Sequence, residues 1–259
     1  MKLRYNYYMS KKLLILLSLA LLAGVFPAYG DDNENQIIEN SKTSGTFEPK
    51  EYDGLKYQQL SNLTEGSEKP ILVIYLHSHN GSGNDNQKQL RQPSVGKMAN
   101  YLADKKLPAW FLVPQCPSDH EWIENRGTPG CKDKVVALIA DFIKNNPVDT
   151  DRIYICGASM GAWGTWTIMK ENPNLFAAGF IASGMPKNVT AEDFETIPLY
   201  VTSGTNENAY ATLVDFTARI KEAGGTVEFT ILPGLDHPNT CDNAFSSDRL
   251  DWLFKWKKE

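Results

Sequence analysis

Short apolar runs recur along the chain and alternate with stretches whose apolar residues fall at helical spacing. Ile71-Leu72-Val73-Ile74-Tyr75-Leu76 follows Pro70 without a charged residue, the pattern of a strand buried on both faces. Ala109 to Val113, Arg152 to Cys156, Phe176 to Ala182, Ile197 to Val201 and Thr226 to Leu232 read the same way. Between them lie amphipathic stretches. Ser94 to Lys105 places Val95, Met98 and Leu102 on one side; Lys132 to Asn145 aligns Val135, Val136, Ile139, Phe142 and Ile143. Tyr210 to Ala223 aligns Leu213, Phe216 and Ile220 before Gly224 and Gly225 stop it, and Arg249 to Lys258 is the closing helix. Tyr52 to Leu60 is expected to form an early strand pair around Asp53 and Gly54. Strands alternating with helices predict an α/β fold with a mostly parallel central sheet flanked by helices on both faces.

One junction carries chemistry. The strand ending at Cys156 runs into Gly157-Ala158-Ser159-Met160-Gly161, and Ala162 to Lys170 continues as a helix. A G-x-S-x-G between strand and helix is a nucleophile elbow. Glycines at the flanking positions remove side chains that would collide with the neighbouring strand and helix. The helix N-terminus aims backbone N–H groups at charge forming beside the serine.

A nucleophilic serine also needs a base, an acid to orient the base and donors for the oxyanion. His237 is the one histidine after Ser159 in the chain, and it lies between the last strand and the last helix. Glu207 follows the strand ending at Val201 and is the candidate acid; Asp215 and Asp236 are the alternatives. The oxyanion donors are expected to be the Met160 amide and an amide after Leu76, from Ser78 or His79, with His79 taken for the role. His77 and His79 at a strand end, with His120, also raise a metal reading. They lack an H-E-x-x-H or cysteine partner, and His77 reads instead as a packed brace. Trp110, Trp163 and Trp166 read as structural. Trp122, in the loop from Cys116 to Gly130, is the candidate substrate platform.

The N-terminus changes where the fold begins. Lys2, Arg4, Lys11 and Lys12 precede the apolar Leu13 to Val25, and Ala28, Tyr29 and Gly30 form a cleavage site before Asp31. Residues 1–30 therefore read as a signal peptide, 31–50 as a flexible linker and 51–259 as one domain, secreted or periplasmic. Removing those four basic residues from 26 leaves 22 against 31 acidic, a net charge of −9. That disfavours nucleic acid and anionic membranes as partners. Export permits disulfides. Cys156 sits inside the elbow strand as an expected buried thiol, and Cys116–Cys131 is the pairing expected among the others.

The sequence resembles the α/β-hydrolase superfamily, and within it secreted esterases and predicted peptidases related to polyhydroxybutyrate depolymerase and to feruloyl and acetylxylan esterases. The resemblance rests on Leu72 to His77, Gly83 to Asn86, Val113 to Pro117, Asp151 to Gly161 with Gly164-Thr165-Trp166, and the Pro233-Gly234-x-x-His237 loop. It implies Ser159 as nucleophile, His237 as base, an ester of a small molecule or polysaccharide as substrate, and no cofactor; a serine peptidase with the same triad and a non-catalytic carbohydrate-binding protein on the same fold are the alternatives. Two positions depart from the family pattern. Ser78 stands where a glycine usually follows His77, and Glu207 stands where the family has aspartate.

Overall fold

The computed structural model describes residues 46–63, 66 and 68–258. The expected signal peptide and most of the expected linker lie outside the described residues. Eight strands form one sheet: β1 (Glu48–Tyr52), β2 (Leu55–Asn62), β3 (Ile71–Leu76), β4 (Ala109–Pro114), β5 (Ile153–Ala158), β6 (Ala178–Ala182), β7 (Leu199–Gly204) and β8 (Val227–Leu232). Their order across the sheet is β1-β2-β4-β3-β5-β6-β7-β8. The β1–β2 and β2–β4 pairs are antiparallel and all others are parallel. The helices are α1 (Pro93–Asp104), α2 (Lys132–Asn145), α3 (Met160–Glu171), α4 (Tyr210–Glu222), α5 (His237–Asn243) and α6 (Ser247–Phe254).

The inner strands β3, β5, β6 and β7 are buried at every position, and the apolar runs of β3, β5 and β6 require it. One core lies between the sheet and α2, α3 and α4, built on Val135, Ile139, Trp166, Leu213 and Ile220. The second lies under α1 and α6, built on Val95, Met98, Leu102, Leu250 and Leu253. Helices thus cover both faces, as expected.

Three departures from expectation have local causes. β1 begins at Glu48, inside the expected linker. Asp53 and Gly54, both with positive φ, make a two-residue hairpin turn that pairs Tyr52 with Leu55, and Phe47 packs on Phe111. The last helix ends at Phe254 rather than Lys258. Its tail is drawn off by the Tyr154 hydroxyl, which donates to the Trp256 carbonyl at 2.6 Å, and by the Lys258 amide, which donates to Asp151. The loop after β8 contains the short helix α5, started by Asp236, whose carboxylate accepts from the Asn239 amide.

Candidate active site

The site lies at the carboxyl ends of the central parallel strands, where open α/β sheets bind ligands. Ser159 sits between β5 and α3 with φ 55° and ψ −115°, a conformation that L-residues adopt only under constraint. The constraint is visible in the neighbours. A Cβ on Gly157 would lie 2.2 Å from the Gly161 carbonyl oxygen, and one on Gly161 would lie 1.9 Å from the Leu76 carbonyl oxygen. Both glycines are therefore dictated by close backbone approach. The Ser159 amide is tied to the Ala182 carbonyl at the end of β6.

Three chain segments meet at this turn. The Ser159 hydroxyl lies 2.7 Å from His237 Nε2. His237 is the first residue of α5, and its Nδ1 lies 2.9 Å from Glu207 Oε2. Glu207 follows β7 by three residues, and its Oε1 accepts the Gly204 amide at 2.8 Å. The exposures divide the labour: the His237 side chain is 51% exposed and the Glu207 side chain 1%. Burial works against the Glu207 charge. Hydrogen bonds from His237, Ser183 and the Gly204 amide outweigh that burial and hold its carboxyl below the ordinary 4.5. The alternative acids point elsewhere. Asp236 caps α5 through Asn239, and Asp215 is exposed on α4.

The loop after β3 is clamped from several sides. The Gln92 side chain accepts the Ser78 amide at 3.2 Å and donates to the Ser78 hydroxyl at 2.7 Å. The Ser78 N–H is thereby consumed. The His79 amide, like that of Met160 at the head of α3, meets no acceptor among the described residues. The serine in place of glycine thus serves as the handle by which Gln92 holds the loop.

His77 is fully buried and both ring nitrogens are engaged. Nδ1 donates to the Ser78 carbonyl at 2.7 Å, and Nε2 accepts the Cys116 amide at 2.9 Å. Neither is left for a metal. His79 is exposed, so the two histidines are not a paired ligand set. Burial pushes the His77 imidazole down to about 4 from 6.5. The folded protein therefore refuses a proton that the unfolded chain accepts. His77 costs nothing above 6.5, and stability falls as pH drops from 6.5 toward 4. The loss is about 3 kcal/mol. Urea unfolding at pH 7 and pH 4.5 should register it, with a shallower pH slope in His77→Gln; an equal slope in the variant would assign the loss to other groups.

Trp122 overturns its expected role as a platform. Its side chain has no exposed surface. The indole N–H donates to the His77 carbonyl at 2.9 Å, and the ring packs on His77 with centroids 4.9 Å apart. It braces the loop after β3 from beneath and offers no face to a ligand. Trp166 is buried, as expected. Trp163 is half-buried and carries the Lys187 ammonium 3.4 Å above its ring. Cys116, Cys131, Cys156 and Cys241 are buried free thiols. The expected Cys116–Cys131 bridge is absent, although the two sulfurs lie 3.4 Å apart.

Sequence reasoning missed two residues here. Gln92 precedes α1 as an unremarkable polar residue. Ser183 directly follows the apolar strand β6, at the sheet edge that carries Ser159. That position at a strand end was the available signal.

A mostly parallel sheet with a serine at a strand–turn–helix elbow, followed in the chain by Glu207 and His237, is the α/β-hydrolase fold. Comparisons with known proteins agree. Residues 120–217 match the prolyl oligopeptidase family. The protein "Probable carboxylesterase SOBER1-like" of Arabidopsis thaliana is 26% identical over 161 residues, 59% of this chain and 59% of that one. A thermostable esterase superposes with a TM-score of 0.69 at 23% identity, over 83% of this chain and 63% of its own. A ferulic acid esterase superposes with a TM-score of 0.63 at 13% identity, over 82% of this chain and 97% of its own. The chain thus spans about three fifths of the length of the first two relatives.

Proposed function

We propose that the chain is a secreted or periplasmic serine hydrolase that cleaves carboxylic esters through an acyl-enzyme. The observation that carries this is the unbroken relay from the Ser159 hydroxyl to His237 Nε2 at 2.7 Å and from His237 Nδ1 to Glu207 at 2.9 Å. Ser159 attacks the ester carbonyl as His237 Nε2 takes its proton. Glu207 keeps the remaining imidazole proton on Nδ1 and stabilises the imidazolium. The Met160 and His79 amides receive the oxyanion, a contribution of about 100-fold or more per donor. His237 then protonates the leaving alcohol and activates water for deacylation. No step calls for a cofactor.

The substrate we favour is a small ester or an acyl-substituted carbohydrate, with no nucleic acid or membrane partner. The likeness in fold to a ferulic acid esterase supports an ester as substrate, and the half-exposed histidine supports its approach from open solvent. A second reading, peptide-bond cleavage by the same residues, draws on the prolyl oligopeptidase match. Turnover of p-nitrophenyl acetate and acylated sugars, set against peptide p-nitroanilides, separates them. The ester reading expects fluorophosphonate labelling of Ser159 and ester turnover far above anilide turnover. Absent labelling and turnover across acyl lengths would sink the enzyme reading, and faster anilide cleavage would make it a peptidase. Export is supported by residues 1–30, and sequencing of the mature N-terminus should find Asp31.

A further inference from the structure

We propose that Ser183 is a fourth, positioning member of the site, whose hydroxyl fixes the Glu207 carboxylate and the His237 imidazole against each other. The proposal rests on the hydrolase reading above. Its basis is a three-way contact. The Ser183 hydroxyl donates to Glu207 Oε2 and lies 2.8 Å from His237 Nδ1, while Nδ1 lies 2.9 Å from the same Oε2. Each of the three atoms is within hydrogen-bond reach of the other two.

The proton inventory admits one good arrangement. Nδ1 carries one proton and Ser183 carries one, and the carboxylate carries none. The Ser183 hydroxyl gives its proton to Oε2. The Nδ1 proton then lies between Oε2 and the Ser183 oxygen, both acceptors. Two acceptors at Nδ1 specify the tautomer that leaves Nε2 free for the Ser159 proton.

The backbone of Ser183 indicates that the placement is imposed. Its φ is 57°, a left-handed conformation for a residue that is not glycine. Its amide donates to the Thr202 carbonyl at 3.0 Å, which locks the strained residue to β7. Glycine would adopt this φ at lower cost, so holding a serine here costs stability. A side chain 1% exposed returns that cost through its contacts, and these are Glu207 and His237.

The length of Glu207 explains the need. A glutamate has one more rotatable bond than an aspartate and must be held at both oxygens to present one acceptor in a fixed place. Gly204 holds Oε1 from the backbone, and Ser183 holds Oε2 from the neighbouring strand.

Ser183→Gly tests this, because it removes the hydroxyl while relieving the positive φ. Thermal stability should hold or rise, kcat should fall by about 10-fold or more, and KM should stay. The downfield proton signal of His237 Nδ1 should shift or broaden. Ser183→Ala should give the same kcat loss without the stability gain. A kcat within twofold of the parent in both variants, with an unmoved Nδ1 signal, overturns the proposal while the parent still labels with fluorophosphonate. A parent that neither labels nor turns over overturns the hydrolase reading and this proposal with it.

Discussion

Replacing Ser159 by alanine is expected to lower kcat for ester hydrolysis by about 10^6-fold while leaving the fold intact. The expected size follows from the site acting as a unit. Without the hydroxyl no acyl-enzyme forms, and the relay through His237 and Glu207 has no proton to move. What remains is water attack assisted by the oxyanion amides and by binding. The fold should survive because alanine meets the same φ of 55° that serine already tolerates, and the glycines that permit the turn are untouched. Three measurements check the prediction together: steady-state turnover, the burst of nitrophenol that reports acylation, and fluorophosphonate labelling. The burst and the labelling should vanish and turnover should fall to the residual rate of water attack, while the unfolding midpoint stays near the parent's. Turnover within tenfold of the parent would mean that another nucleophile carries the reaction.

Much of this site was legible because its members obey chain-order rules. The continuous apolar strands announce their burial, and each candidate residue follows one of them by a few positions. Ser159, Glu207 and His237 could be picked as candidates from chain order for that reason, and the structure brings the three together. What escaped depends on packing between segments far apart in the chain. Trp122 lies in a polar loop. Its burial arises from Gly164, which lets α3 approach the indole, and from His77, whose carbonyl takes the indole proton. Helix α5 is too short and polar to show periodicity; Asp236 and Pro238 start it, and no apolar stripe reveals it. Ser183 has no distinguishing neighbour except Gly184, where a Cβ would lie 2.3 Å from that of Ala162. Its contacts join β6 to the loops after β7 and β8, a convergence that strand order creates.

Glu207→Gln is the second large expected effect, a loss of about 10^4-fold in kcat with little change in fold. The substitution is nearly isosteric, so its cost reads the charge and the acceptor rather than the packing. In the parent, His237 Nδ1 donates to Oε2 and Nε2 accepts from Ser159. A glutamine that turns its amide N–H toward Nδ1 makes that nitrogen an acceptor and moves the imidazole proton to Nε2. An Nε2 that already carries a proton cannot take one from Ser159. A glutamine that turns its oxygen toward Nδ1 preserves the tautomer but leaves the imidazolium unbalanced when it forms. Either orientation costs rate, and the surrounding donors favour keeping the amide oxygen where Gly204 needs an acceptor. That choice directs the amide nitrogen at His237 and Ser183. Acylation should therefore fail while substrate binding persists, giving a lowered kcat at an unchanged KM. Glu207 also contributes stability through its depressed pKa. That stability is fully present above the ordinary glutamate value of 4.5 and is lost as pH falls through the lower folded value. The glutamine variant should therefore unfold with a flatter acid limb than the parent. A kcat within tenfold of the parent would remove Glu207 from the role, and a steep acid limb retained in the variant would assign that stability to other carboxylates.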